Sequence, residues 1–343
     1  GIKKQHVLTA LEAGYRHLDT AQAYQWGYTE HDVGDAVHES AVPREEVFIQ
    51  TKIFPEDLGY EPTKRAVDVS LQRLRTAYVD SMLIHKPRCW EGACSKQPEG
   101  TWQDSWKALE ELYESGKVRA IGICDVDDGL LDELLRQKHK PHIIQNWMDP
   151  LHQDKHIRAR CAKEGIQYQG YSTLGPQWVH FRGHKQNPVL THPSIVAIAQ
   201  THDRAPAQVV INWAVKHGVA VIPASKDPAR QVSNFDSFGF DLSGDEMAAI
   251  DALDGTVGSV VPDPNEVSVT FNNKGSKALQ VAWMDAEGRE VHIGDVAPGG
   301  GESINTFHGH RFRFLSNGQP VDEHVIHKNL GPTQSHDVGR IEL

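Results

Sequence analysis

Residue types that together can move a proton onto a carbonyl oxygen recur in this chain at the ends of short apolar runs. Asp19 closes "YRHLD", Lys52 ends "EVFIQTK", His85 closes "VDSMLIH", and Tyr24 follows Asp19 by five residues. A phenol with its ordinary pKa near 10 needs a drop of roughly three units, about 4 kcal/mol, to exchange its proton freely at neutral pH. A neighbouring ammonium supplies much of that, a carboxylate can hold the ammonium, and an imidazole can orient the carbonyl oxygen by hydrogen bonding. Gln145 and Tyr171 stand at the ends of two further runs, "HIIQN" and "IQYQGYS". Taken singly, each of these residues reads as structural. Polar residues at five run ends point to a common site.

The elements that must position them alternate regularly up to Leu253. An amphipathic helix opens the chain at "KKQHVLTALEAG", and short apolar runs then alternate with helical stretches such as "TKRAVDVSLQRLRTAY", "WQDSWKALEELYESG" and "PAQVVINWAVKHG". Short strands separated by helices of about ten residues build βα units around a parallel sheet. Seven strands can be counted, the last at "VAVIP". The expected fold is a (β/α)8 TIM barrel lacking its first strand, with the site residues at the C-terminal strand ends. An open doubly wound sheet is the alternative, although the Gly-x-Gly-x-x-Gly turn it often uses is absent.

The texture changes after the expected barrel domain, residues 1–253. Residues 254–265 carry Gly and Pro without periodicity and read as a linker. Residues 266–343 contain "EVSVTF", "ALQVAWM", "ESINTF" and "HRFRFL", which alternate at period two and predict a small all-β sandwich.

The formal charge is −11, split as −7 up to Gly255 and −4 beyond it. Neither part has the basic surface that tracks nucleic-acid phosphates. No apolar run approaches the roughly 20 residues that span a bilayer, and no basic-then-apolar leader opens the chain. The four cysteines show no CxxC spacing, so neither a disulfide framework nor a zinc ribbon is expected and a reducing, cytoplasmic setting is. The histidines form no metal motif, and none is expected to hold a metal.

"GYRHLDTAQAY", "TK" at 51–52, "LIHKP", "IIQN", "GYSTLG" and "VIPAS…R…N" resemble the aldo-keto reductases, in the family's order and over residues 5–253. The resemblance implies reduction of an aldehyde or ketone by NADPH, with NADH as the alternative cofactor. It puts the catalytic tetrad on Asp19, Tyr24, Lys52 and His85, with Tyr24 as general acid. It implies that Cys124, Asp125 and Gln145 meet the nicotinamide amide and that Tyr171 stacks on its ring. Ser172 and Leu174 would lie by the pyrophosphate, and Ser225, Arg230 and Asn234 by the adenosine 2′-phosphate and adenine. Departures from the family's pattern are Cys124-Asp125 for Ser-Asn, Ala224 for Lys, Lys86 for Trp, and a longer loop between Tyr24 and Glu30. The family's first strand, with its Gly-Thr-Trp, has no counterpart in this sequence.

Residues 266–315 resemble the β domain of the von Hippel–Lindau tumour suppressor, most specifically at "VAWMDAEG" and "FHGH". That resemblance implies a peptide pocket for hydroxyproline at Trp283, Thr306, His310 and Phe312, with Ile293 where a tyrosine is expected. Trp283 reads equally well as core. Two functions follow as expectations: a carbonyl reductase carrying a peptide-recognition module, or a decayed barrel that binds proteins.

Overall fold

The computed structural model describes residues 1–89, 94–258, 266–284, 288–307, 309–327 and 333–339. The chain divides into two compact units, Gly1–Ser259 and Val260–Leu343. The expected linker falls on this division, and its residues 259–265 lie outside the described residues.

Seven strands form the centre of the first unit: β1 (His17–Asp19), β2 (Phe48–Ile53), β3 (Ser81–Ile84), β4 (Ile121–Cys124), β5 (Ile143–Trp147), β6 (Gln167–Tyr171) and β7 (Ala220–Val221). They pair in sequence order, every pair parallel. The result is a curled half-barrel, with no ladder joining β1 to β7 among the described residues. Strands β3 and β4 are buried along their whole length, as expected for parallel strands covered on both faces. Gly122 is required in β4 because a Cβ there would collide with the Ile143 carbonyl and the Leu83 side chain.

Helices return the chain between strands and bury their apolar stripes on the sheet. The helix Trp102–Glu114 is the clearest case: Thr101 accepts from the Asp104 N–H as its cap, and Trp106, Leu109 and Leu112 face inward. No helix among the described residues is long and apolar enough to cross a membrane.

The second unit holds a four-stranded sheet and a three-stranded one. The strands are β8 (Glu266–Asn273), β9 (Leu279–Met284), β10 (Glu290–Val296), β11 (Gly301–Phe307), β12 (Arg311–Ser316), β13 (Gln319–Val325) and β14 (Thr333–Val338). One sheet runs β10-β9-β12-β13, the other β11-β8-β14, with β14 parallel to β8. Phe271 and Val338 of the smaller sheet share an apolar core with Val281, Phe312 and Phe314 of the larger.

The cysteines form one local bridge rather than a framework. Cys89 and Cys94 form a disulfide, their Cα atoms 5.8 Å apart, within ordinary bridging range. The pairing is local, within the loop after β3, so it needs no framework and leaves no CxxC trace. Cys124 and Cys161 are free and buried.

Candidate functional site

The centre of the site is a buried ion pair. Lys52 is 1% exposed, and its Nζ donates to Asp19 Oδ2 at 2.6 Å and to the Thr20 carbonyl at 3.0 Å. Asp19 Oδ1 accepts from Gln50 Nε2 at 2.6 Å, its register partner across the β1–β2 ladder. Burial pulls the Lys52 ammonium toward losing its proton, but the Asp19 carboxylate, helped by Tyr28 and Cys124, holds its pKa above the ordinary value. A charged lysine thus sits almost entirely out of water, fixed by one carboxylate.

The phenol beside this pair is that of Tyr28. Its ring centroid lies 5.4 Å from Lys52 Nζ, and its ring meets that of His85 edge-on at 5.8 Å. The expectation that Tyr24 occupies this place is corrected by its hydrogen bonding. Tyr24 Oη donates to Glu30 Oε2 at 2.6 Å and accepts from Arg73, whose guanidinium lies 4.5 Å over the ring. Glu30 is fully buried and also accepts from Thr51 Oγ1 at 2.6 Å and Ser70 Oγ at 2.5 Å. Tyr24 is therefore captured on the outside of the strand ends, by a carboxylate that anchors the next helix. The lengthened loop supplies the alternative: a 3-10 turn at Tyr24–Trp26 ends on Gly27 at φ 86°, and the chain comes back at Tyr28. Glycine takes that conformation without a Cβ penalty. The signal in the sequence was the long loop together with a second tyrosine inside it.

Burial keeps Tyr28 protonated by raising its pKa, and Lys52 opposes that rise. His85 is 8% exposed, with a buried Nδ1 that has no hydrogen-bond partner among the described residues. Burial, then the ammonium groups of Lys52 and Lys86, push its pKa well below the ordinary imidazole value, so it is neutral at neutral pH. A neutral imidazole can donate to a carbonyl oxygen without adding charge.

Past the ends of β3 and β4 lies a second ion pair, between Lys86 Nζ and Asp125 Oδ2. Asp125 Oδ1 accepts from Tyr171 Oη at 2.9 Å, and Lys86 Nζ is 5.7 Å from the Tyr171 ring centroid. Asp125 and Tyr171 line a cavity of about 380 Å³, together with Asn146, Trp147, His152 and Asp154. Asp125 and Ser172 both hold left-handed backbone, at φ 56° each, a conformation that concentrates at functional sites. Gln145 turns into the barrel: its Nε2 donates to Gln169 Oε1 at 2.5 Å and to Asp19 Oδ1 at 3.3 Å. Cys124 is buried beside it, its Sγ 3.5 Å from Gln145 Oε1, and burial raises its pKa, which removes it as a nucleophile.

Of the remaining expected contacts, Ser172, Ser225, Asn234 and Arg230 carry hydroxyl, amide and guanidinium donors, a chemistry that suits phosphate groups. Ser172 Oγ accepts from Gln177 Nε2 at 3.2 Å, and Leu174 packs against the core. Ser225 Oγ accepts from the Asp227 N–H at 3.1 Å. The Arg230 side chain is exposed, Asn234 is buried, and Ala224 is exposed with no donor to offer.

In the second unit Thr306 and His310 are joined by a 2.8 Å hydrogen bond, and the His310 ring lies 5.4 Å from that of Trp283. The Trp283 Nε1 is buried, with no acceptor among the described residues. Ile293 is 43% exposed. Phe312 departs from the expectation of a pocket wall: it is 2% exposed and packs on Phe271, ring centroids 5.1 Å apart, inside the core. No group of three or more metal-binding side chains occurs among the described residues.

The sequence has relatives over this same unit. An aldo-keto reductase of Mycolicibacterium vanbaalenii is 40% identical over 252 residues, 73% of this chain and 83% of that protein. Glyoxal reductase of Bacillus subtilis is 38% identical over 266 residues, 77% of this chain and 87% of that protein. Among solved structures, the Bombyx mori aldo-keto reductase in complex with NADP aligns with a TM-score of 0.67 at 28% identity, covering 76% of this chain and 85% of that one. The Aldo/keto reductase family model matches residues 3–255, the span of the half-barrel: the chain belongs to the aldo-keto reductase family.

Proposed function

We propose that this protein reduces small aldehydes or ketones with NADPH, with Tyr28 as the proton donor. NADPH, when bound, supplies the hydride that goes to the carbonyl carbon. The observation that carries the reading is the charged, buried Lys52 lying 5.4 Å from the Tyr28 ring, with His85 on the ring's edge. Tyr28 starts protonated, as a donor must, and gives its proton to the carbonyl oxygen as that oxygen becomes more basic than a phenolate. Lys52 stabilises the phenolate left behind, and Asp19 keeps the ammonium in place. His85 holds the carbonyl oxygen through a hydrogen bond.

The test is consumption of NADPH by the full chain with glyoxal, on which the B. subtilis relative is named to act, and with an aromatic aldehyde. Alcohol formed in step with NADPH consumed supports the reading. NADPH bound but not consumed by either compound sinks it and leaves a barrel that only binds.

Cofactor choice yields a further expected result. With Ala224 offering no cation, the preference for NADPH over NADH rests on Arg230 and Ser225 and is small. Ala224→Lys should tighten NADPH about tenfold, equivalent to roughly 1.4 kcal/mol, and leave NADH unchanged. An equal gain for both cofactors in a fluorescence titration would show that position 224 does not meet the 2′-phosphate.

A peptide-binding reading of the second unit rests on the Thr306–His310 hydrogen bond and on the Trp283 indole beside His310. A labelled hydroxyproline peptide should raise fluorescence anisotropy where its proline twin does not. Equal response to both peptides counts against a hydroxyl-reading pocket.

A further inference from the structure

We infer that Gln169, acting through Gln50 and Gln145, is a positioning residue for the reaction: it fixes the Asp19 carboxylate so that a single oxygen is presented to Lys52, and thereby places the ammonium that serves Tyr28. This rests on the reductase reading above. Inward positions of a parallel barrel are usually filled by branched apolar side chains. Here three glutamines lie buried instead, Gln50, Gln145 and Gln169, exposed by 0%, 3% and 1%. Gln50 is the register partner of Asp19 across β1–β2, and Gln145 that of Gln169 across β5–β6. The curl of the sheet brings the two pairs into contact, although β3 and β4 stand between them in the strand order.

Donor and acceptor chemistry forces one arrangement. A carboxylate only accepts, so an amide that meets Asp19 must face it with its nitrogen, which carries two hydrogens. Gln50 Nε2 gives one to Asp19 Oδ1 at 2.6 Å, and Gln145 Nε2 gives one to the same oxygen at 3.3 Å. Their second hydrogens converge on Gln169 Oε1, at 2.6 and 2.5 Å. Two oxygens and two amide nitrogens thus close a ring of four hydrogen bonds. Gln169 Nε2 lies 3.5 Å from His17 Nε2, and burial holds that imidazole's pKa below its ordinary value, leaving it an acceptor. With Oδ1 taken by two donors, Asp19 keeps Oδ2 for Lys52 Nζ, at 2.6 Å. The carboxylate cannot turn without breaking its bonds to two buried amides, so it is a fixed anchor for the ammonium. Without the Gln169 oxygen, two buried N–H groups lose their acceptor and both amides are released to rotate.

The experiment measures carbonyl reduction by NADPH on the full chain, with glyoxal and an aromatic aldehyde. The variant is Gln169→Met, which keeps an unbranched side chain of similar length and removes the amide oxygen. It is expected to lower kcat about ten- to a hundredfold, the effect that a slight misplacement of a catalytic group has. KM for the aldehyde and the dissociation constant of NADPH should stay within about threefold. A merely structural role would lower Tm and leave the kcat of the folded protein unchanged. Asp19→Asn removes the carboxylate itself, so adding Gln169→Met to it should change kcat by less than about twofold. If Asp19→Asn does not fold, Gln50→Leu takes its place, since a ring already broken at one member cannot be broken again. A kcat for Gln169→Met within about twofold of wild type, or losses that multiply in the double variant, overturns the assignment. A wild type that consumes no NADPH overturns the reductase reading and this inference with it, whereas equal turnover by wild type and Gln169→Met overturns only the role of Gln169.

Discussion

Tyr28→Phe is expected to lower kcat for carbonyl reduction by about 10²–10⁴-fold, the usual size of a general acid's contribution, while NADPH affinity stays within about threefold. The substitution removes one oxygen and keeps the ring that packs beside Phe54 and His85. Tyr24→Phe separates the two tyrosines. Its hydroxyl serves the buried Glu30 and Arg73, so its loss should cost stability, roughly 1–3 kcal/mol, with turnover nearly intact. Steady-state kinetics with saturating NADPH, beside thermal melts of both variants, reads both effects. If Tyr24→Phe abolishes turnover and Tyr28→Phe spares it, the assignment of the proton donor is reversed.

The largest stability effect is expected from splitting the buried pair. Asp19→Asn leaves the Lys52 ammonium, 1% exposed, without its anion. Breaking a buried ion pair from one side costs about 3–5 kcal/mol, because a charge remains out of water and unpaired. For a unit of this size that is a fall in Tm of roughly 10 °C. Tryptophan fluorescence, which reports chiefly on the first unit, follows the transition. Asp19→Asn with Lys52→Met should recover most of the loss, since no buried charge is then left over. A single variant that melts within about 2 °C of wild type would mean that water reaches Lys52 or that the lysine gives up its proton, and either would weaken its role beneath Tyr28.

The alternation of short apolar runs with amphipathic stretches determined the parallel βα architecture, because burial on both faces leaves its mark residue by residue. Asp19 and Tyr171 close such runs in the sequence and end β1 and β6, and Lys52 is the last residue but one of β2. His85 follows β3 directly. The two β sheets of the second unit were legible from period-two alternation, although the parallel pairing of β14 with β8 was not, since it joins segments more than 60 residues apart.

What only the tertiary structure decided is which partner each side chain takes. Spacing from Asp19 points to Tyr24, but a buried Glu30, with Thr51, Ser70 and Arg73, takes that hydroxyl, and the extra turn carries Tyr28 to Lys52 instead. Lys86 and Asp125 are 39 residues apart and look like unrelated departures until the β3–β4 ladder sets them side by side. Phe312 alternates as a pocket wall would, yet it faces the core with Phe271. Strand and helix propensity is written within a few residues, whereas a hydrogen bond or an ion pair forms wherever the fold brings complementary groups into a space that excludes water.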